Sequence, residues 1–140
     1  MAKSTFKATT RLLNGVQAEA EARGFKIVID EPLEKGGTNQ SMTPMELFLC
    51  SLGSCQTIVA AMYAEFKDID LQDFWVEIEG DHDREYTPGY TEIRVKTHIK
   101  TDSPPEDVKR FIEFLETTCP VSDAVKKPIK VVNAGLVIEK

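Results

Sequence analysis

Three cysteines and two histidines carry most of the chemical latitude in this 140-residue chain. A cysteine thiolate attacks peroxides and disulfides and binds soft metals. The metal option fails on spacing. His82 falls in a loop between two strands and His98 on a strand face that points to water, and neither has a second ligand type at metal distance. No CxxC, HExxH or paired-His pattern occurs, so neither a metal nor a metal cofactor is expected. No glycine-rich phosphate loop follows a strand, and no GxSxG elbow is present, which removes support for nucleotide binding and serine hydrolysis. Thiol chemistry remains. Its competitor is inert burial, because free cysteines are among the most buried residue types.

The residues that must position Cys55 run from Thr43 to Phe66, TPMELFLCSLGSCQTIVAAMYAEF. This stretch reads as one long helix. Thr43 is the N-cap, Pro44 the first helical residue, and Glu46 completes a capping box three residues after the cap. At about 100° per residue, Met45, Phe48, Leu52, Cys55, Val59, Met62, Tyr63 and Phe66 share a broad apolar face. Gly53, Ser54, Thr57, Ala60, Ala61 and Ala64, all small, lie opposite. Such a helix is expected to be buried on both sides. One sheet covers one side only, so a second copy of the chain is the natural cover for the other. Cys50 is rotated about 140° from Cys55 and reads as a core filler. Cys119 directly precedes Pro120 and is a candidate N-cap of the turn PVSDA, where free N–H groups and the helix end favour thiolate.

The other elements follow in order. Residues 5–13 and 17–23 read as strands joined at Asn14-Gly15, with Gly24 turning the chain into a third strand over 25–30. A polar loop, 31–43, leads to the long helix. Residues 72–80 and 90–100 alternate as strands with one wet face, Phe74, Val76, Ile78, Ile93, Val95, Thr97 and Ile99 pointing inward. Val108, Phe111, Ile112 and Leu115 mark a second helix, interrupted at Pro120 where a short third begins. Residues 128–138 read as a last strand with a bend at Gly135. The order β-β-β-α-β-β-α-β defines an α+β class in a single domain over residues 1–140.

Composition narrows the function classes. The net charge is −6, and the densest basic group, Lys126, Lys127 and Lys130, reads as solvated surface. Nucleic-acid binding, whose affinity comes from phosphate neutralisation, is not expected. The N-terminal residues lack a signal-peptide core, and no apolar run is expected to span a membrane. Three cysteines are too few for a secreted disulfide scaffold, so the chain reads as a cytoplasmic protein with reduced thiols.

The segment TPMELFLCSLGSCQ, followed by CPVSDA 64 residues after Cys55 (119 − 55), resembles the OsmC/Ohr family of osmotically inducible and organic-hydroperoxide-resistance proteins. The resemblance covers nearly the whole chain. It implies an OsmC-like fold, an intertwined homodimer with sites at the subunit interface, and a thiol peroxidase that reduces organic hydroperoxides. Cys55 matches the family's peroxidatic cysteine and Cys119 its resolving cysteine. A lipoylated protein or another small dithiol is the implied reductant. In the well-studied members a Glu directly follows the proline and pairs with an Arg beside the reactive cysteine. Here that position is Met45, and the acid is Glu46, rotated about 180° from Cys55 on a regular helix. Glu46 and Arg11 are the candidate activating contacts, with Arg23 the other arginine on the N-terminal strands. The competing function is a redox-responsive or small-apolar-ligand-binding dimer without turnover. The Met45 departure favours it, and retention of both cysteines in their motifs favours the enzyme.

Overall fold

The structure, a computed structural model, describes residues 3–140. Two compact units divide the chain, one ending at Cys50 and one starting at Ser51.

In the first unit, β1 (Thr9–Leu12), β2 (Ala18–Ala22) and β3 (Phe25–Ile29) form an antiparallel meander. The tightest turn is not at Asn14-Gly15. That dipeptide sits in a longer connection, where Gln17 N–H donates to the Asn14 carbonyl at 2.8 Å and Leu13 N–H to the Gln17 carbonyl at 2.9 Å. The two-residue turn is Arg23-Gly24, between the paired Ala22 and Phe25. Both turn residues have positive φ, 54° and 88°. These are the signs a primed hairpin turn requires, and Arg23 adopts one without being glycine.

Asp30, at the end of β3, organises the loop that follows. Its side chain is 1% exposed. The carboxylate accepts from the Thr38 hydroxyl at 2.5 Å, the Gln17 amide at 3.1 Å, and the backbone N–H groups of Glu31 (2.7 Å), Thr38 (3.3 Å) and Gln40 (3.2 Å). A buried carboxylate needs such a set, because each unpaired lone pair would cost desolvation energy. Gly37 is required here, since a Cβ would lie 1.9 Å from the Glu31 carbonyl oxygen. After a 3₁₀ turn at Leu33–Lys35, the Ser41 hydroxyl donates to the Val28 carbonyl and Asp30 N–H to the Met42 carbonyl. The loop thereby delivers Thr43 to the start of α1 (Pro44–Tyr63). The capping box is complete: Glu46 N–H donates to Thr43 Oγ1 at 3.2 Å, and Thr43 N–H to Glu46 Oε1 at 2.9 Å.

The second unit contains the rest of α1, the hairpin β4 (Asp73–His82) and β5 (Tyr90–Lys100), α2 (Pro105–Thr118) and α3 (Pro120–Lys126). Val59, Ala60, Ala64, Ile69, Phe111 and Leu115 form its core, with Cys55, Tyr63, Phe74, Ile99 and Ile112 packed against it. Phe111 and Leu115 belong to the expected α2 stripe. Gly53 lets α1 approach β4: a Cβ there would meet Ile78 Cδ1 at 3.0 Å. On the wet face of the hairpin the Trp75 and His98 rings stack at 4.6 Å, and His98 Nε2 lies 3.1 Å from Glu77.

Four expectations are corrected. Residues 128–138 form no strand, because a strand needs a neighbour for its ladder and none in the described chain pairs with them; Val131, Leu136 and Val137 are exposed. The order is therefore β-β-β-α-β-β-α-α. Within one chain α1 is buried on one narrow stripe, Leu52, Gly53, Gln56, Val59 and Ala60, while Met62 and Phe66 are exposed. Cys50 is exposed rather than a core filler. Finally, α1 is long and apolar enough to cross a membrane by length and composition. Its stripe nevertheless ends in a protein core, and it carries the buried polar Gln56.

Hydrogen bonding, led by the Thr38 hydroxyl, holds the Asp30 carboxyl well below the usual aspartate range, against the opposing pull of burial. A depressed folded value stabilises the fold above the unfolded value, near 4, and that stabilisation is lost as pH falls toward the folded value. Asp30→Asn should lower the melting temperature at about pH 7, and the gap to the parent protein should narrow as pH falls from about 5 to about 2. Melting curves across that range check it.

Candidate active site: the Cys55 and Cys119 thiols

Cys119 is the residue on which α2 ends and α3 begins. Its N–H donates to the Leu115 carbonyl at 3.0 Å, closing α2, and its carbonyl accepts from Asp123 N–H at 3.0 Å, opening α3. Pro120 forces this geometry, since the residue before a proline is driven out of the helical region. Cys119 accordingly has φ −66° and ψ 114°. The extended junction turns its side chain back over the first turn of α3, where Cys119 Sγ accepts from Ser122 N–H at 3.4 Å. The N-cap expected from the CP dipeptide is present.

Its consequence differs from the expectation of a thiolate. The Cys119 thiol is pushed up from its ordinary value, first by burial, then by a hydrogen bond with Cys55. Ser122 N–H pulls the other way and is outweighed. Cys119 is fully buried. Desolvation penalises the charged form, and the backbone N–H groups of Ser122 and Val121 at the start of a seven-residue helix offset only part of it. The neighbouring Cys55 thiol pushes in the same direction as burial. Cys55 is half-buried on α1, and both thiols are free. The second unit therefore brings together two free cysteines 64 positions apart (119 − 55), one half-buried and the other fully buried.

The remaining candidates belong to the first unit. Glu46 is engaged in the capping box at the start of α1. Arg11 is exposed on β1, paired across the ladder with Glu19. Arg23 lies in the β2–β3 turn, its guanidinium over the Phe25 ring at 5.2 Å. Among the described residues no group of His, Cys, Asp and Glu is arranged to hold a metal ion. Two polar residues beside the thiols were not singled out from sequence: Gln56, 6% exposed, and Ser122, 4% exposed. The signal for Gln56 was a long polar side chain four residues after Leu52 on an otherwise apolar and small-residue helix.

Fold and sequence together define the class: residues 37–133 match the family described as OsmC-like protein, and the chain belongs to that family. It is 26% identical over 124 residues to a protein of Mycoplasma genitalium named hydroperoxide reductase, covering 86% of each chain. The OsmC-like protein of Mycoplasma pneumoniae has the same fold, with a TM-score of 0.79, 22% identity, and coverage of 90% of this chain and 89% of that one. An organic hydroperoxide resistance protein from Legionella pneumophila superposes with a TM-score of 0.68 at 22% identity, covering 90% and 92%.

In the folded protein at about pH 7, iodoacetamide should label Cys55 at least about tenfold faster than Cys119, since Cys119 is fully buried and its thiol is pushed up. The difference should vanish in denaturant. Peptide mass mapping over time measures both rates, and equal rates in the native protein would contradict the arrangement.

Proposed function

We propose that the protein is a cysteine-based hydroperoxide reductase acting on organic hydroperoxides. The observation that carries this reading is the pairing of two free thiols that influence each other within the second unit, Cys55 half-buried and Cys119 fully buried. An attacking sulfur needs a donor to stabilise it as thiolate, and a resolving thiol must stay protonated and close until it is used. Cys55 attacks the distal oxygen of R–O–O–H. The O–O bond breaks, Cys55 becomes the sulfenic acid, and the alkoxide leaves as ROH after taking a proton. Cys119 then attacks the sulfenic sulfur, a disulfide forms, and water departs. Two electrons from a dithiol, a lipoylated protein or another small thiol, return both cysteines to thiols by exchange. The reducing cytoplasm is the compartment that keeps such a pair ready.

The functional unit of this proposal is a homodimer. Its support is the apolar surface one chain leaves exposed: Met62 and Phe66 at the end of α1, and Val131, Leu136 and Val137 in the C-terminal segment. Exposed apolar surface on this scale marks an interaction site. Arg11 is a candidate second activating contact. The alternative is a redox-responsive or ligand-binding dimer without turnover, favoured by Met45 at the position where the well-studied members carry glutamate.

The two cysteine variants separate these readings. Cys55→Ser should abolish single-turnover consumption of cumene hydroperoxide. Cys119→Ser should consume about one equivalent and stall as a sulfenic acid that dimedone traps, with excess external thiol partly restoring turnover. No consumption by the parent protein with any dithiol would leave the non-catalytic dimer. Sedimentation at micromolar concentration should show a dimer, and a stable folded monomer would remove that part of the proposal.

A further inference from the structure

A cavity of about 500 Å³ lies in the second unit against α1, β5 and α3. Leu52, Ile93, Val95 and Val125 give it apolar walls. Gln56 and Ser122 are its buried polar groups, 6% and 4% exposed. Neither the Gln56 amide nor the Ser122 hydroxyl hydrogen-bonds within the described residues; Ser122 contributes only its backbone N–H, to Cys119 Sγ. Their polar atoms are not sealed off, for no fully closed side-chain N or O lacks a partner among the described residues. Buried polar groups are normally paired, and an amide from α1 and a hydroxyl from α3 left open in the lining of one cavity mark a place for an occupant that supplies the pairing.

We propose that this cavity binds a neutral, hydroxyl-bearing apolar molecule, such as a medium-chain alcohol, with its hydroxyl between Gln56 and Ser122. A hydroxyl both donates and accepts, and so do the amide of Gln56 and the hydroxyl of Ser122. The head is neutral because the charged lining residues, Glu92, Glu116 and Lys126, are exposed and keep their charges in water, leaving no buried counter-ion for a carboxylate or an ammonium. Arg94 already neutralises Glu92. The volume falls within the range of small-molecule sites. An alcohol of this kind is also what cleavage of an organic hydroperoxide releases, but its binding here requires neither thiol to react.

Calorimetric titration of the reduced protein with 1-octanol, octanoate and octyl ammonium tests the site. Saturable 1-octanol binding is expected, with both charged analogues at least about tenfold weaker. Gln56→Leu and Ser122→Ala should each weaken it about five- to tenfold, the factor one lost hydrogen bond carries. Val125→Trp should block it by filling the cavity. Cys55→Ser should bind like the parent, which separates this site from the peroxidase proposal. Circular dichroism establishes that each variant folds. Absence of saturation, equal binding of octanoate, or folded Gln56 and Ser122 variants that bind like the parent would overturn the proposal. So would a ligand-free protein whose Gln56 side-chain amide protons are fully protected from solvent exchange, because a second copy of the chain would then fill the cavity.

Discussion

The second unit turns on one constraint: a sulfur fully removed from water at the point where two helices meet. Pro120 forbids a continuous helix, so the chain must break, and the break must satisfy backbone groups from both sides. Cys119 does this with three contacts. Its N–H closes α2, its carbonyl opens α3, and its sulfur receives Ser122 N–H. Earlier on α2, Phe111 and Leu115, each 2% exposed, pack in one core with Val59 and Ala60 of α1. The chemistry of the thiol follows from where this packing leaves it. Burial, and after it the neighbouring Cys55, favours the protonated form of Cys119.

Two opposing effects act on that proton, and burial wins. The helix N-terminus favours thiolate through the backbone N–H groups of Ser122 and Val121 and a partial positive charge, and α3 is short. Burial removes the whole hydration shell of a charged sulfur, which costs more. The outcome leaves the two sulfurs unlike: Cys55 is half-buried on a long helix, and Cys119 is fully buried between two helices.

The first unit solves a different problem with comparable economy. Asp30 gathers five hydrogen bonds from residues spread between Gln17 and Gln40, and the loop they fix ends at the capping box of α1. A loop of glycines and polar residues has little apolar surface to bury, so a single buried carboxylate replaces a hydrophobic core as its organiser.

Local rules in the sequence determined the elements. Thr43, Pro44 and Glu46 specify a helix start by hydrogen-bond groups three residues apart, period-2 alternation specifies β4 and β5, and Cys119-Pro120 specifies a break with a cap. The family was legible in TPMELFLCSLGSCQ and CPVSDA because both motifs are local. Tertiary structure decided everything that depends on what lies beside a residue. It placed Arg23-Gly24 rather than Asn14-Gly15 in the tight turn, buried Asp30 and Gln56, exposed Cys50, and left residues 128–138 without a ladder partner. It also reversed the expected charge preference of Cys119. The cap that favours thiolate can be read from neighbours in sequence, whereas the desolvation that outweighs it arises only in the folded chain, where Cys119 is fully buried.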